Sequence, residues 1–389
     1  MAKKAYIGVD GVARKIKKGY IGIDGIARKI KKAYIGVGGV ARPCWSSGLE
    51  YYGRVTPLSV GVINPAATNT TNYGLFAGGE KSADGMGTNN SNRYSEIVDA
   101  FDKNNTRFNA SSFSSSRTYV GAASVNGVAM FAGGSRGSDT KLNDVFKVNN
   151  DLTIAKSSTN LSANQDRLRA TYVGDCVVFG HGVTTNGGWV MTYYFYNTDL
   201  TQVNKLNPTN NNKGYSSATT VANKAIFAGG SGGTNHTPSK TIHVFDDSYT
   251  EIETGIQLSI ARAYIGATTV EGKAIFGGGS VNGERKTTVD VFNEDLTLIS
   301  GVDNLSEARG PLPAVTNKDC ALFIGGEIKG GKSATVDAYN ADLVRTVPQG
   351  LSEARNQHAV TTVEDFILIG GGATPSAERE SSIEAYIYS

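Results

Sequence analysis

The sequence predicts an all-β fold: a seven-bladed β-propeller over residues 45–389, preceded by short β-hairpin repeats over residues 1–44. Two repeat families carry this prediction, because a 14-residue repeat fills the first segment and a repeat of about 50 residues fills the second. The composition agrees, since 48 glycines and 9 prolines in 389 residues favour many tight turns between short strands. Apolar residues make up 39% and charged residues 19%, which is typical of a globular protein.

The short repeat has the pattern of a β-hairpin. Each copy places Asp-Gly or Gly-Gly between two alternating runs, as expected for a type I′ turn. In the first copy this register puts Val9 opposite Val12 and Ile7 opposite Arg14, so that one face is largely apolar. Two-stranded hairpins are marginally stable alone in water, and the segment therefore needs a partner surface. The copies are Ala5–Lys18, Gly19–Lys32 and the truncated Ala33–Arg42.

This first segment is strongly basic. Residues 1–42 hold 11 Lys and Arg against 2 Asp and Glu, whereas the rest of the chain holds 27 against 33. A basic head can bind nucleic acid, an anionic membrane surface or an acidic protein, or it can be the solvated face of a strand. We interpret it as an anchor. The predicted attachment residues are Tyr6, Arg14, Lys15, Tyr20, Arg28, Lys29, Tyr34 and Arg42.

The longer repeat is marked by an apolar strand with an aromatic residue before a glycine pair, as in Lys273–Gly279 (KAIFGGG). Seven copies follow one another at intervals of 45 to 55 residues. We expect the glycines to avoid a clash with the adjacent blade, and the aromatic ring to fill the space between blades. The aromatic position falls at Phe76, Phe131, Phe179, Phe227, Phe276, Phe323 and Leu368.

Each unit contains four short strands, and sheets of this size bury enough surface only when they stack around an axis. The seventh unit reaches only its third strand at Ser389. We therefore expect residues 49–55 to supply the fourth strand by pairing with residues 383–389. Such a clasp closes the ring and removes an exposed sheet edge.

Arginine recurs at one position of the unit, and aspartate recurs in the third strands. Arginines at the mouth of a channel would attract an anion, whereas repetition at equivalent positions favours a structural bond made in every blade. The sequence does not show which acid pairs with which base. The residues concerned are Arg117, Arg262, Arg309, Arg355, Asp99, Asp144, Asp290 and Asp337.

The order of these markers over residues 49–389 resembles the kelch family of β-propellers, although the tryptophan usual in kelch repeats is absent. Some kelch propellers are enzymes, so catalysis has to be argued from residues. The four histidines (His181, His236, His243 and His358) are scattered over separate units, and no Ser-His-Asp order, HExxH motif or phosphate-binding loop is present. We therefore expect no enzymatic activity, no cofactor and no metal site.

Recognition is expected at the loops between the second and third strands, because variable loops on a rigid scaffold commonly carry binding residues. Trp189 is the most informative of their side chains, since an exposed indole can stack on a sugar ring. The alternative is a core aromatic beside Tyr193 and Phe195. The predicted ligand-binding residues are Arg93, Arg136, Trp189, His236, Arg285, Lys329 and Arg379.

The N-terminal repeats YIGVDGVARKIKK and YIGVGGVARPCW resemble those that open tail- and baseplate-associated proteins of phages of Gram-positive bacteria, including tail-like particles. The resemblance implies a virion tail or tail-fibre protein, assembled in the cytoplasm of the host bacterium. Residues 1–44 would bind other tail or baseplate proteins, and the propeller would bind a host-surface polysaccharide or protein. A homo-oligomer is expected, with a trimer among its forms; nucleic acid binding and membrane insertion are not expected.

Three other functions stay open on the sequence. The propeller could be purely structural and contact other virion proteins. It could be an intracellular kelch adaptor, although no companion adaptor domain is recognisable in the sequence. It could also be a carbohydrate-active enzyme, which activity on cell-wall glycans would reveal.

Overall fold

The structure, a computed structural model, describes residues 48–81, 93–137, 140–185, 187–208, 213–232 and 236–388, and the backbone of six strands between residues 6 and 46. Every regular element in these residues is a β-strand. None of the described residues belongs to a helix able to cross a membrane. The first six strands form three antiparallel pairs: Tyr6–Val9 with Val12–Lys15, Gly19–Ile23 with Ile26–Ile30, and Lys32–Val37 with Val40–Ser46.

The first of these pairs has the register that the repeat predicts. Ile7 lies opposite Arg14, and Val9 lies opposite Val12. The structure describes this segment by its backbone strands alone, so the predicted attachment side chains lie outside what it describes. They are Tyr6, Arg14, Lys15, Tyr20, Arg28, Lys29, Tyr34 and Arg42.

The described part of the chain from Leu49 onward contains seven four-stranded antiparallel sheets, numbered here in chain order. Sheet 1 consists of Ala66–Asn69, Gly74–Ala77, Val98–Phe101 and Arg107–Asn109. Sheet 2 consists of Gly121–Val125, Val128–Ala132, Val145–Val148 and Ile154–Lys156. Sheet 3 consists of Arg169–Val173, Cys176–Gly180, Tyr193–Asn197 and Gln202–Leu206. Sheet 4 consists of Ser217–Val221, Lys224–Ala228, Ile242–Phe245 and Glu251–Ile252.

The remaining sheets repeat this order. Sheet 5 consists of Gly266–Val270, Lys273–Gly277, Val289–Phe292 and Leu298–Ile299. Sheet 6 consists of Ala314–Asn317, Cys320–Ile324, Val336–Asn340 and Arg345–Thr346. Sheet 7 consists of Ala359–Val363, Phe366–Gly370, Ile383–Tyr388 and, from the beginning of the chain, Leu49–Val55. Short strands in the connections form small additional sheets: Gln165–Asp166, Gly182–Thr184, Trp189–Val190, Lys213–Gly214, Ser231–Gly232, Thr237–Pro238, Ser280–Val281, Glu284–Arg285, Glu327–Ile328 and Gly331–Lys332.

The fourth strand of sheet 7 comes from the other end of the polypeptide. Ile383 pairs with Val55 and Tyr388 pairs with Leu49, with one irregularity in register after Ala385. The Tyr51 hydroxyl donates to a Glu384 carboxylate oxygen at 2.6 Å across the same pair. Ser389 lies outside the described residues. Because the partner strand is Leu49–Val55, the edge of Ile383–Tyr388 is hydrogen-bonded.

The first strands of the sheets contact one another in a cyclic order. Each first strand lies beside that of the next sheet, and the first strand of sheet 7 lies beside that of sheet 1. Hydroxyl groups join neighbours: Thr219 and Thr269 are hydrogen-bonded at 2.8 Å, and Thr361 donates to the Thr68 carbonyl at 2.6 Å. The fold is therefore all-β and propeller-like, with the first strands at its centre.

The repeated arginines lie in the segments just before the first strands, and their side chains are buried. Arg262 Nη2 lies 2.5 Å from Asp290 Oδ2, and the guanidinium also donates to two backbone carbonyls. The equivalent pairs are Arg117–Asp144, Arg309–Asp337 and Arg355–Glu384, and all four arginines are fully buried. The expected structural bond is confirmed, and an anion site built from these arginines is excluded because carboxylates already pair with them.

The acid side of the predicted pattern needs two corrections. Asp99 has no repeated arginine as its partner; it accepts hydrogen bonds from the backbone amide and hydroxyl of Ser59, both at 2.9 Å. Sheet 7 uses Glu384, which a search for aspartate misses. The pairing is therefore a property of charge and position and not of one residue type.

The glycine pair has a left-handed conformation and lies close to the next sheet. In sheet 5, Gly278 and Gly279 have φ of 69° and 98°. A Cβ atom on Gly278 would lie 2.5 Å from the Arg309 carbonyl oxygen, to which the Gly279 amide donates at 2.8 Å. The predicted clash with the adjacent sheet is confirmed, at the loop that leads into that sheet.

The aromatic residue before the glycine pair packs between neighbouring sheets. Phe276 of sheet 5 is fully buried and belongs to one apolar cluster with Ile226 and Val244 of sheet 4. Filling a close-packed space between two apolar sheet faces stabilises both sheets. The predicted role of this position is confirmed for Phe276.

The seventh copy is shifted by one residue from the predicted alignment. Its left-handed glycines are Gly371 and Gly372, with φ of 70° and 93°. Ile369 therefore occupies the aromatic position, opposite Glu384, and the assignment of Leu368 to it is wrong. The run of three glycines from Gly370 left two alignments of the pattern equally good.

Candidate functional site

A cavity of about 380 Å³ lies between the first strands of the sheets, at the end where these strands begin. Every sheet contributes the residues at and just before the start of its first strand. The contributing segments are 64–67, 119–122, 167–170, 215–218, 264–267, 311–314 and 357–360. Because the contribution comes from all seven sheets, the repeat itself generates the cavity and the side chains at one position determine its chemistry.

The rim of this cavity, called here the mouth ring, is formed by the residue two places after the repeated-arginine position. Six of its seven members have left-handed φ values between 51° and 59°, although none of the six is glycine. This conformation costs roughly 1–3 kcal/mol for a residue with a Cβ atom. The members are Asn64, Tyr119, Arg167, Tyr215, Tyr264, Pro311 and Gln357, of which Pro311 is the one with negative φ.

Hydrogen bonds between neighbouring members hold this conformation. The Arg167 amide donates to the Tyr119 carbonyl at 2.9 Å, and the Tyr264 amide donates to the Tyr215 carbonyl at 2.9 Å. The left-handed turn directs each residue toward the central cavity, where all are partly or fully accessible to solvent. Strain of this kind, repeated at one position, is a reason to suspect a binding surface.

Aromatic rings continue outward from one side of the mouth ring and form what we call the aromatic shelf: Tyr264, Tyr215, Trp189 and His236. Tyr215 and Tyr264 are stacked, with ring centroids 4.4 Å apart and planes at 29°. Trp189 and Tyr215 pack edge to face with ring centroids 5.3 Å apart, and His236 and Trp189 do so with ring centroids 5.4 Å apart. Burial raises the pKa of Tyr264, so its phenol stays neutral.

The shelf leads into a neighbouring groove of about 580 Å³. Tyr264 and Pro311 line both the groove and the central cavity. Arg285 and Glu327 form an ion pair on the groove wall. A ligand bound at the mouth ring can therefore extend outward along a continuous surface.

Three of the predicted loop residues lie beside the central cavity. Trp189 and His236 come together in the aromatic shelf, and Trp189 belongs to that shelf and not to the core around Tyr193. Arg285 lies in the groove next to it. The sequence alternative that placed Trp189 beside Tyr193 and Phe195 is therefore wrong.

The other predicted loop residues do not line the cavity. Arg93 and Arg379 both bind one Glu80 oxygen, at 3.0 and 2.5 Å, and so tie the first sheet to the last. Arg136 is partly exposed, and Lys329 is exposed in the turn between Glu327–Ile328 and Gly331–Lys332. These four side chains are spread over separate sheets.

The mouth ring itself was not predicted from the sequence. The sequence does contain a signal for it. Its members lie two residues after the repeated-arginine position, as Tyr119 follows Arg117 and Tyr264 follows Arg262. The chemical character of the position changes from unit to unit, whereas the position two residues earlier is arginine in four of the seven units. Such variation inside a periodic pattern is what a binding position would produce.

Two cysteines and one histidine away from the cavity are buried among the described residues. Cys176 and Cys320 are buried, and burial raises their pKa values to about 11 and about 12, so both stay protonated. The Ser216 hydroxyl lies 2.6 Å from Nδ1 of buried His181. No group of three His, Cys, Asp or Glu side chains in the described ranges could hold a metal ion.

Fold and site together define the class: an all-β, propeller-like protein with a central, partly aromatic cavity. No family model matches the chain, and no curated protein matches it. A solved structure titled "Structure of YjhT" is similar, with a TM-score of 0.57 and 12% sequence identity over 76% of this chain and 99% of that chain. At this identity the likeness concerns the fold alone.

Proposed function

We propose that this chain is a tail or tail-fibre protein of a phage or a phage-tail-like particle. Its N-terminal repeats attach it to the virion, and its propeller binds a glycan on the host surface. The aromatic shelf beside the mouth ring is the observation that carries the binding half of this proposal. The resemblance of the N-terminal repeats to phage tail proteins supports the attachment half.

The binding domain in this proposal is a closed propeller of seven blades of the kelch type. Seven four-stranded sheets, cyclic contacts between their first strands, and the pairing of Leu49–Val55 with Ile383–Tyr388 support it. Closure would make the scaffold rigid, because the last sheet is completed by a strand from the beginning of the propeller segment and Ile383–Tyr388 has no open edge. A rigid scaffold positions the mouth ring without help from the ligand.

A glycan fits this site better than a peptide or a lipid. The apolar faces of sugar rings stack on tyrosine and tryptophan, while amide and hydroxyl groups bind their hydroxyls. Tyr215 and Tyr264 supply the ring faces, and Asn64 and Gln357 supply amides on the opposite side of the mouth. A volume of about 380 Å³ lies within the range of about 300–1,000 Å³ common for small-ligand sites. Binding without conversion is the activity proposed.

The test is binding of the full-length protein to an array of bacterial cell-wall polysaccharides and peptidoglycan fragments. Tyr264→Ala should weaken binding roughly tenfold or more, because it removes a stacking surface at the centre of the site. Tyr172→Ala is the matched control, since this exposed tyrosine lies at the other end of a first strand and outside the cavity. No binding by the wild-type protein, or equal loss in both variants, would contradict the proposal.

The attachment half has a separate test. Deleting residues 2–43 should abolish incorporation of the protein into particles while leaving glycan binding intact. Incorporation at the wild-type level after this deletion would exclude the anchor. A propeller sandwiched between other virion proteins, seen in an image of the particle, would favour the purely structural alternative over adhesion.

A further inference from the structure

The cavity carries an imbalance of charge. Of the described residues that line it, the only charged ones are Arg167 and Arg169; no Asp or Glu is among them. His358 also lines the cavity, but burial lowers its pKa to about 3, so it is neutral at physiological pH. The surplus charge of the site therefore belongs to the two arginines.

Arg167 is compensated within the protein. Its Nη1 atom donates to both carboxylate oxygens of Asp166, at 3.1 and 3.0 Å. The guanidinium lies over the Tyr119 ring, 4.3 Å from its centroid. Lys141 binds the same Asp166 at 3.1 Å. These contacts balance the charge of Arg167 without a ligand. Arg167 is therefore part of the cavity wall.

Arg169 is different. Its Nε donates to the Ser216 carbonyl at 2.7 Å, which fixes the plane of the guanidinium against the loop that carries Tyr215. No carboxylate within the described ranges forms an ion pair with it. Burial lowers the pKa of Arg169, and the charge of nearby Arg167 lowers it further. Its side chain keeps some accessible surface and lines the cavity.

The four buried, repeated arginines, which we call the scaffold arginines, have a structural role, and each forms an ion pair with a carboxylate. They are Arg117, Arg262, Arg309 and Arg355. A fixed guanidinium without a carboxylate partner, facing a cavity, is suited to a planar anion that it can bind through two parallel hydrogen bonds. Carboxylate and phosphate are the groups with this geometry. Because Arg169 is held against the Tyr215 loop, a sugar ring stacked on the shelf would bring such a substituent next to it.

We propose that the cavity binds an acidic glycan, with Arg169 as the subsite for the carboxylate or phosphate group of a sugar residue stacked on Tyr215 and Tyr264. This inference rests on the proposed glycan binding and adds the class of ligand. Arg167 positions the wall beside it and is not the group that binds the anion.

The experiment is a binding titration of the full-length protein with three sets of probes: polygalacturonate fragments, the same fragments after carboxyl reduction, and glycerol phosphate oligomers. The wild-type protein should bind at least one acidic probe about tenfold to a hundredfold more tightly than the reduced fragments. Tighter binding of polygalacturonate indicates a carboxylate ligand, and tighter binding of the phosphate oligomers indicates a phosphate ligand.

Two variants assign the effect to one side chain. Arg169→Gln should remove the preference for the acidic probe, and Arg169→Lys should restore part of it, since lysine keeps the charge but not the two-point geometry. Arg136→Gln is the matched control, because it removes a partly exposed arginine that does not line the cavity. If Arg169→Gln does not fold, the comparison of acidic and reduced probes on the wild-type protein still tests whether the site prefers an acidic glycan.

The outcomes separate this inference from the proposed function. Equal binding of acidic and reduced probes, or an acidic preference that survives Arg169→Gln, overturns the acidic subsite but leaves glycan binding standing. No binding of any of these probes or of wall polysaccharides overturns both. Loss of preference in Arg136→Gln to the same extent would show a diffuse charge effect and also contradict the subsite.

Discussion

The repeated arginines and Arg169 lie a few residues apart in the repeat and have different surroundings. Arg262 and its three equivalents are fully buried, and each is paired with a carboxylate of its own sheet. Arg169, at the start of a first strand, is partly accessible and has no carboxylate partner among the described residues. The difference between them is therefore the carboxylate partner, which the four buried arginines have and which Arg169 lacks among the described residues.

The comparison indicates that a repeat protein can use some positions of the repeat for stability and others for binding. Positions that hold the sheets together keep the same chemistry in most units: the repeated arginine binds within its own sheet, and the glycine pair packs against the loop that leads into the next one. Positions that face the central cavity share a backbone conformation but differ in side chain, from Tyr119 to Gln357. On the proposed function, the repeated fold supplies the geometry of the site and the side chains at the variable position supply its specificity.

The largest expected effect concerns the scaffold as a whole. Deleting residues 2–56 removes the strand that pairs with Ile383–Tyr388 and exposes a buried, apolar sheet edge. We expect the loss of a large share of the total stability, which is about 5–15 kcal/mol for most proteins. Thermal unfolding followed by circular dichroism measures it. Deletion of residues 2–43, which keeps this strand, is the control and should melt like the full chain.

The scaffold arginines come next. Arg262→Ala leaves the Asp290 carboxylate buried without its partner, and breaking a buried pair in this way costs about 3–5 kcal/mol. Urea unfolding gives the free energy. Lys286→Ala is the matched control, because Lys286 pairs with the exposed Glu284 and should contribute no more than about 1 kcal/mol. Equal effects of the two substitutions would remove the distinction between buried and exposed pairs.

A smaller effect comes from His358 on the cavity wall. Burial lowers its pKa to about 3, whereas the pKa in an unfolded chain is about 6.5. The unfolded state therefore takes up a proton below pH 6.5 that the folded state does not, so stability is lost as the pH falls. Between pH 7 and pH 5 this residue accounts for a loss of about 2 kcal/mol.

Unfolding curves of the wild-type protein and of His358→Gln at both pH values measure this contribution. The variant should lose less stability between pH 7 and pH 5 than the wild-type protein. A wild-type pH dependence in His358→Gln would show that this histidine is protonated equally in both states.

The parts of the molecule that could be predicted are those governed by local pattern. Alternation, turn residues and period identified the strands, and repetition identified Arg262 as a structural residue. The alignment was wrong at Leu368 because three glycines in a row do not show which two have the left-handed conformation.

The candidate site was predicted only in part. Trp189 and His236 could be predicted because they lie on variable loops between second and third strands. Tyr215, Tyr264 and Arg169 belong to three consecutive sheets and come together where these sheets pack, and period alone does not show where each side chain points. Period likewise does not show that no carboxylate among the described residues forms an ion pair with Arg169.

Side-by-side urea unfolding of Arg262→Met and Arg169→Met tests most directly whether the mouth is a binding surface and not part of the scaffold. We expect Arg262→Met to lower the free energy of unfolding by about 3–5 kcal/mol. We expect Arg169→Met to raise the free energy of unfolding, or to leave it unchanged within about 0.5 kcal/mol, because a charge without a carboxylate partner among the described residues is removed. A loss in Arg169→Met as large as that in Arg262→Met would show that Arg169 belongs to the scaffold and contradict a binding role.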